Sequence, residues 1–93
     1  MTLQTIRNFE ERWVSLRKLA AAQLKDLKAD RKTVAKQIRQ YKVAKDVARL
    51  RGAIAHSKQV ERALAATTRF IETKDRVVKE ASRRGKLLKR ALT

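Results

Sequence analysis

The sequence contains no cysteine and no proline, and it has only two glycines in 93 residues, Gly52 and Gly85. Without cysteine, disulfides and thiolate metal sites are excluded. The single histidine, His56, cannot build a metal site alone. With no proline and so little glycine, few positions oppose helix formation. We therefore predict a chain that is helical nearly throughout, with no metal and no cofactor.

Acidic residues are also scarce. The sequence has nine of them and 25 lysines and arginines, which gives a formal charge of +16. Such an excess favours anionic partners, and nucleic acid is the commonest of these. No apolar run approaches the roughly 20 residues needed to span a bilayer. The first residues also lack the uncharged apolar segment of a secretory signal. We expect a cytoplasmic protein, with the nucleoid as one location within the cell, and we rank adsorption to membranes low.

The segment 58–92 combines a column of arginines with an apolar seam. The arginines recur every seven residues, at Arg62, Arg69, Arg76, Arg83 and Arg90. The seam advances by alternate steps of four and three, through Val60, Leu64, Thr67, Ile71, Lys74, Val78, Ala81, Gly85, Leu88 and Leu92. On a helix the seam forms one stripe, and the arginines lie on the side facing away. The segment is therefore predicted to be a helix with an apolar inside and a cationic outside.

The first half of the chain carries a second apolar stripe. Its members lie seven residues apart, at Ile6, Trp13, Ala20, Leu27, Val34, Tyr41, Ala48 and Ala55. A polar segment, KADRKT at 28–33, interrupts the stripe without changing its phase. A turn would normally reset that phase, so we predict one continuous helix over about 2–50. A three-helix bundle with a break near 28–33 is the alternative.

The best turn signal lies at 51–57, RGAIAHS. Gly52 suits the left-handed position that ends a helix, and Ser57 is suited to cap the next one. The sequence therefore predicts a single all-α domain over 1–93, a long, coiled-coil-like antiparallel hairpin whose second helix spans about 57–92. With this turn, residue i faces roughly residue 107 minus i.

In that register the N-terminal apolar residues have no counterpart on the second helix. They are Leu3, Ile6, Phe9 and Trp13. Leaving them exposed would forfeit roughly 1.5–3 kcal/mol each relative to burial. We therefore predict that these four residues form a partner or oligomer interface, with a homodimeric four-helix bundle as the simplest arrangement.

No catalytic motif is apparent: glycine-rich phosphate loops, HExxH, CxxC and nucleophile-elbow patterns are all missing. Arg31 and Lys42, with Arg12 or Arg17, resemble the substrate-binding cations on the first helix of all-helical chorismate mutases. The resemblance covers part of one helix. That family also uses an acidic residue near the start of its second helix, and residues 47–57 contain none. We expect that the protein is not an enzyme.

The charge pattern predicts a small basic nucleic-acid-binding protein that contacts the phosphate backbone, with DNA ranked slightly ahead of RNA. The candidate contacts are Lys32, Lys36, Arg39, Lys42, Arg49, Arg62, Arg69, Arg76, Arg83, Arg84, Lys86, Lys89 and Arg90. The role would be accessory or architectural, as in plasmid or phage DNA handling or in the nucleoid. The alternative function is that of a coiled-coil adaptor or assembly protein that binds an acidic protein partner.

Overall fold

The computed structural model describes residues 2–93 and contains two α-helices, α1 (Leu3–Val43) and α2 (Val47–Leu92). They pack against each other as a long antiparallel hairpin, which confirms the predicted fold class. Helix α1 runs through residues 28–33 without a break, so the three-helix alternative is wrong. The apolar repeat, which keeps its seven-residue phase across 28–33, predicted this correctly. A short polar segment lowers the stability of an amphipathic helix only slightly.

The connection between the helices lies at residues 44–46, not at 51–57 as predicted. Lys45 adopts the left-handed conformation, with φ of 55°. Its amide donates to the Lys42 carbonyl at 3.2 Å, and the Asp46 amide donates to the Tyr41 carbonyl at 3.1 Å. These two bonds form a Schellman motif, which satisfies carbonyls at the end of a helix.

Asp46 also begins the second helix. Its Oδ1 accepts a hydrogen bond from the Arg49 amide at 3.2 Å, and its carbonyl accepts the first helical bond, from the Leu50 amide at 2.9 Å. A side-chain acceptor for an early amide is the standard role of a helix N-cap. One residue therefore closes α1 and opens α2, which makes the connection very short.

Gly52 and Ser57 both lie within α2, so the predicted helix bounds of 2–50 and 57–92 are wrong. Gly52 has a negative φ, as residues within an α-helix do. A glycine permits the left-handed conformation but does not impose it. Here the turn uses a lysine in that conformation, followed by an aspartate cap, and neither residue stood out in the composition.

The chain divides into two compact units, which we call the turn unit (Ala22–Thr68) and the terminal unit (Met1–Ala21 with Arg69–Thr93). In each unit the buried residues come from the predicted seams, except Ala53, which lies one heptad before the start of the second seam. In the turn unit the buried residues are Val34, Ala53, Val60, Leu64 and Thr67. In the terminal unit they are Ile6, Trp13, Ala20, Ala81 and Gly85.

The earlier turn changes which residues face each other in the terminal unit. Gly85 lies against Ile6, and a β-carbon built on Gly85 would come within 3.3 Å of the Ile6 side chain. Helix α2 is therefore long enough to cover the start of α1. Ile6 and Trp13 are only 4% and 5% exposed.

Leu3 and Phe9 are half-buried. The predicted overhang of Leu3, Ile6, Phe9 and Trp13 is therefore wrong, because it followed from placing the turn too late. The homodimer loses the premise on which it was predicted. Two of the four residues belong to the core of the chain itself.

Candidate nucleic-acid interface

The turn unit presents its candidate cations on the surface of both helices. Lys32, Lys36 and Arg39 lie on the outer side of α1 and are exposed. They are spaced by four and three residues, which places them together on one side of the helix. The remaining candidates of this unit, Lys42, Arg49 and Arg62, are exposed as well. We call Lys32, Lys36 and Arg39 the α1 basic face.

The terminal unit presents a second set along α2. Its members are Arg69, Arg76, Arg83, Arg84, Lys86, Lys89 and Arg90, and all of them are exposed. The heptad column within this set lies opposite the buried positions Ala81 and Gly85 around the helix. A side chain on the outer side of a paired helix points to solvent, so every one of the thirteen predicted contacts is accessible.

Few of these cations are neutralised. Within residues 2–93, ion pairs are made by five arginines, namely Arg17, Arg31, Arg49, Arg83 and Arg84. Three of the thirteen candidates are in this group: Arg49 pairs with Asp46, and Arg83 and Arg84 share Glu80 at 3.9 and 3.6 Å. All three members of the α1 basic face lie outside it.

Asp75 on α2 bonds two side chains of α1, a contact that its neighbours in the sequence did not indicate. Its Oδ1 accepts hydrogen bonds from Trp13 Nε1 at 2.8 Å and from Arg17 Nε at 3.1 Å. These partners, Arg17 first and then Trp13, lower the pKa of the Asp75 carboxyl from its ordinary value. The carboxylate therefore links the two helices and pairs with the charge of Arg17.

Ser82 makes a second cross-helix bond of this kind, donating to Glu10 Oε1 at 2.7 Å. One flank of the helix pair in the terminal unit is thus closed by polar bridges.

The other flank of the terminal unit is an apolar groove that sequence reasoning missed. It has a volume of about 450 Å³ and is lined by Phe9, Val77 and Ala81, with Arg76 and Arg84 beside them. Finding it requires the correct register between the helices. The signal in the sequence was the pair Phe70 and Val77, which repeat at seven residues just outside the seam.

Compared with known proteins, the chain matches no family model, no curated protein and no solved structure. The partial resemblance to chorismate mutases therefore gains no support. No helix within residues 2–93 has the length and apolar character needed to cross a membrane. Function must accordingly be argued from the side chains themselves.

Proposed function

We propose that this protein binds nucleic acid through the phosphate backbone, using the exposed lysines and arginines of its helix surfaces. The observation that carries the proposal is the unpaired positive charge. All thirteen candidate cations are exposed, and in the part of the chain that the structure describes, ten of them have no carboxylate within ion-pairing distance. Self-repulsion among so many like charges is relieved when a polyanion binds.

Phosphate is the anion that best fits this arrangement. Arginine donates two parallel hydrogen bonds to a phosphate group, and lysine supplies a mobile point charge. Cations repeated along a helix face would meet phosphates repeated along a backbone. Each phosphate neutralised on duplex DNA lowers the logarithm of affinity by about 0.9 per decade of salt. Binding would therefore be strongly salt-dependent.

Base readout contributes little to this proposal. Trp13 and Phe70 pack edge to face with ring centroids 5.7 Å apart, and the Trp13 nitrogen is occupied by Asp75. Phe9 is half-buried and lines the apolar groove. Since sequence-tolerant binding of single strands relies on aromatic stacking, we favour duplex backbone contacts and rank DNA slightly ahead of RNA. An accessory or architectural role, in the nucleoid or in plasmid or phage DNA handling, fits such binding.

The test neutralises the α1 basic face. The variant Lys32→Gln, Lys36→Gln, Arg39→Gln removes three charges from exposed positions that make no ion pair. If all three contact phosphates, the slope of log affinity against log salt on duplex DNA should fall by about 2.7. Fluorescence anisotropy of a labelled duplex across a salt series measures this slope.

The matched control removes the same number of charges elsewhere. Arg7, Arg12 and Lys18 are exposed and lie outside the candidate set, so their triple glutamine variant should change the slope much less. Equal losses for the two variants would mean that net charge alone, and no particular face, attracts the DNA. An unchanged slope in the first variant would remove the α1 basic face from the proposal.

A further inference from the structure

The two flanks of the terminal unit differ in a way that core packing does not require. One flank is bridged by the Ser82–Glu10 and Arg17–Asp75 bonds. The other flank holds the apolar groove beside Phe9 and Val77. On this flank Val77 and Phe70 remain 46% and 42% exposed. Large apolar side chains that are left open together commonly mark a binding site.

The apolar residues of the open flank form a strip with a regular repeat. Leu16 follows Phe9 by seven residues on α1, and Val77 follows Phe70 by seven on α2. Phe9 and Val77 both line the groove, and Leu16 and Phe70 are the next members of the two repeats toward the turn. On each helix the two members are about 10.5 Å apart along the axis, at 1.5 Å per residue. We call these four residues the apolar strip.

This spacing matches one kind of ligand. An amphipathic helix that docks in a groove anchors itself with side chains at i, i+3, i+4 and i+7. Two anchors seven residues apart on such a helix are also separated by about 10.5 Å. Each helix therefore contributes two apolar side chains to the strip, at the repeat that a third helix packed alongside the pair would present.

The rim of the groove decides the charge of that helix. Arg76 and Arg84 both border the groove. The one carboxylate beside them, Glu80, is already shared by Arg83 and Arg84. Arg76 makes no ion pair within residues 2–93. The rim is therefore positive, and a docked helix with acidic flanks would find partners on it.

A second copy of this chain fits the same surface poorly. An isologous dimer places the same patch of each subunit against its partner. Arg76 and Arg84 of two chains would then come together, in a protein whose formal charge is already +16. Like charges placed against each other across an interface cost several kcal/mol.

We propose that the apolar strip and its arginine rim form a docking site for an acidic amphipathic helix of another protein. The apolar side chains of that helix pack on Phe9, Leu16, Phe70 and Val77, and its carboxylates pair with Arg76 and Arg84. The site shares no residue with the α1 basic face, whereas Arg76 and Arg84 of its rim also belong to the thirteen candidate phosphate contacts.

The test uses a synthetic helical peptide of about 18 residues, with leucines at i, i+3, i+4 and i+7 and glutamates beside them. A scrambled peptide of identical composition is its control. Fluorescence anisotropy with the 93-residue chain should show binding of the helical peptide that is at least about tenfold tighter than that of the scrambled one. Equal binding of the two peptides would overturn the proposal, because only charge would then be recognised.

Val77→Glu should lower the affinity for the helical peptide at least about tenfold, because it places a charge in the groove. Val14→Glu is the matched control, because Val14 is 56% exposed in the same unit and does not line the groove. If V77E changes the far-ultraviolet circular dichroism spectrum, its helices have been disturbed. Val77→Ser then replaces it, because serine makes position 77 polar without adding a charge. Equal effects at positions 77 and 14 would refute the site.

Two further measurements separate this inference from its competitors. A wild-type dimer in sedimentation that V77E converts to a monomer would show that a second copy occupies the strip, which overturns the proposal. The triple glutamine variant of the α1 basic face should keep the preference for the helical peptide over the scrambled one, because that face shares no residue with the strip or its rim. A failure of DNA binding therefore leaves the peptide result intact, and a failure of peptide binding leaves the DNA result intact.

Discussion

Replacing Gly52 by alanine tests the placement of the turn, on which the register between the helices depends. Gly52 lies inside α2, and a β-carbon built there meets no other atom within 4 Å. Alanine is more favourable than glycine by about 0.8–1 kcal/mol at a helix interior. We therefore expect Gly52→Ala to stabilise the protein by about 1 kcal/mol, which raises the thermal midpoint by about 4–8 °C in a chain of this size.

Gly85 supplies the matched control for this prediction. It is also helical, but an added β-carbon would stand 3.3 Å from two atoms of the Ile6 side chain. Ile6 would have to shift, and overpacking of this kind typically costs about 1–3 kcal/mol. Gly85→Ala should therefore be less stable than Gly52→Ala when both are followed by circular dichroism on heating. A Gly52→Ala protein that is less stable than wild type would refute the reasoning, because it would place residue 52 in a turn.

Two further predictions concern the turn and the cross-helix carboxylate. Asp46→Ala should destabilise the protein by about 1 kcal/mol in urea unfolding, since it removes the N-cap of α2; an unchanged midpoint would contradict the capping role. Because folding lowers the pKa of Asp75 below its ordinary 3.8, ionised Asp75 stabilises the fold above that pH, and its contribution is lost as the pH falls through the folded value. Asp75→Asn should therefore lose stability relative to wild type at pH 7, with the gap narrowing in acid, and a pH-independent gap would contradict this account.

The two long helices were predictable because the apolar residues of each half of the sequence recur at a helical spacing. The second seam was correctly placed from Val60 onward, and most of its members are buried or half-buried. Extended back in the same alternate steps, it passes through Ser57 and Ala53 to Leu50; Ala53 is buried, and the other two are half-buried. That continuation was the signal that α2 begins before Gly52. It was obscured because Ala48 and Ala55 continue the phase of the first stripe while remaining exposed.

The exposure of the candidate cations was also predictable, since none of them belongs to either seam. Their ion pairs were less so, because contacts between helices depend on a register that local spacing does not contain. Asp75 could pair with Lys79 on its own helix, yet it bonds Arg17 and Trp13 on the other. The apolar groove was missed for the same reason. Its walls come from both helices, and a turn placed too late by several residues separates them.

The central claim, that unpaired surface charge binds a phosphate backbone, is tested most directly by a salt titration of the wild-type protein. Affinity would be measured on two labelled DNA duplexes of unrelated sequence, from low to high salt. The account predicts similar affinities for both duplexes and a steep linear fall of log affinity, by about 0.9 per phosphate contacted for each decade of salt. Affinity that does not respond to salt, or no binding even at low salt, would contradict it.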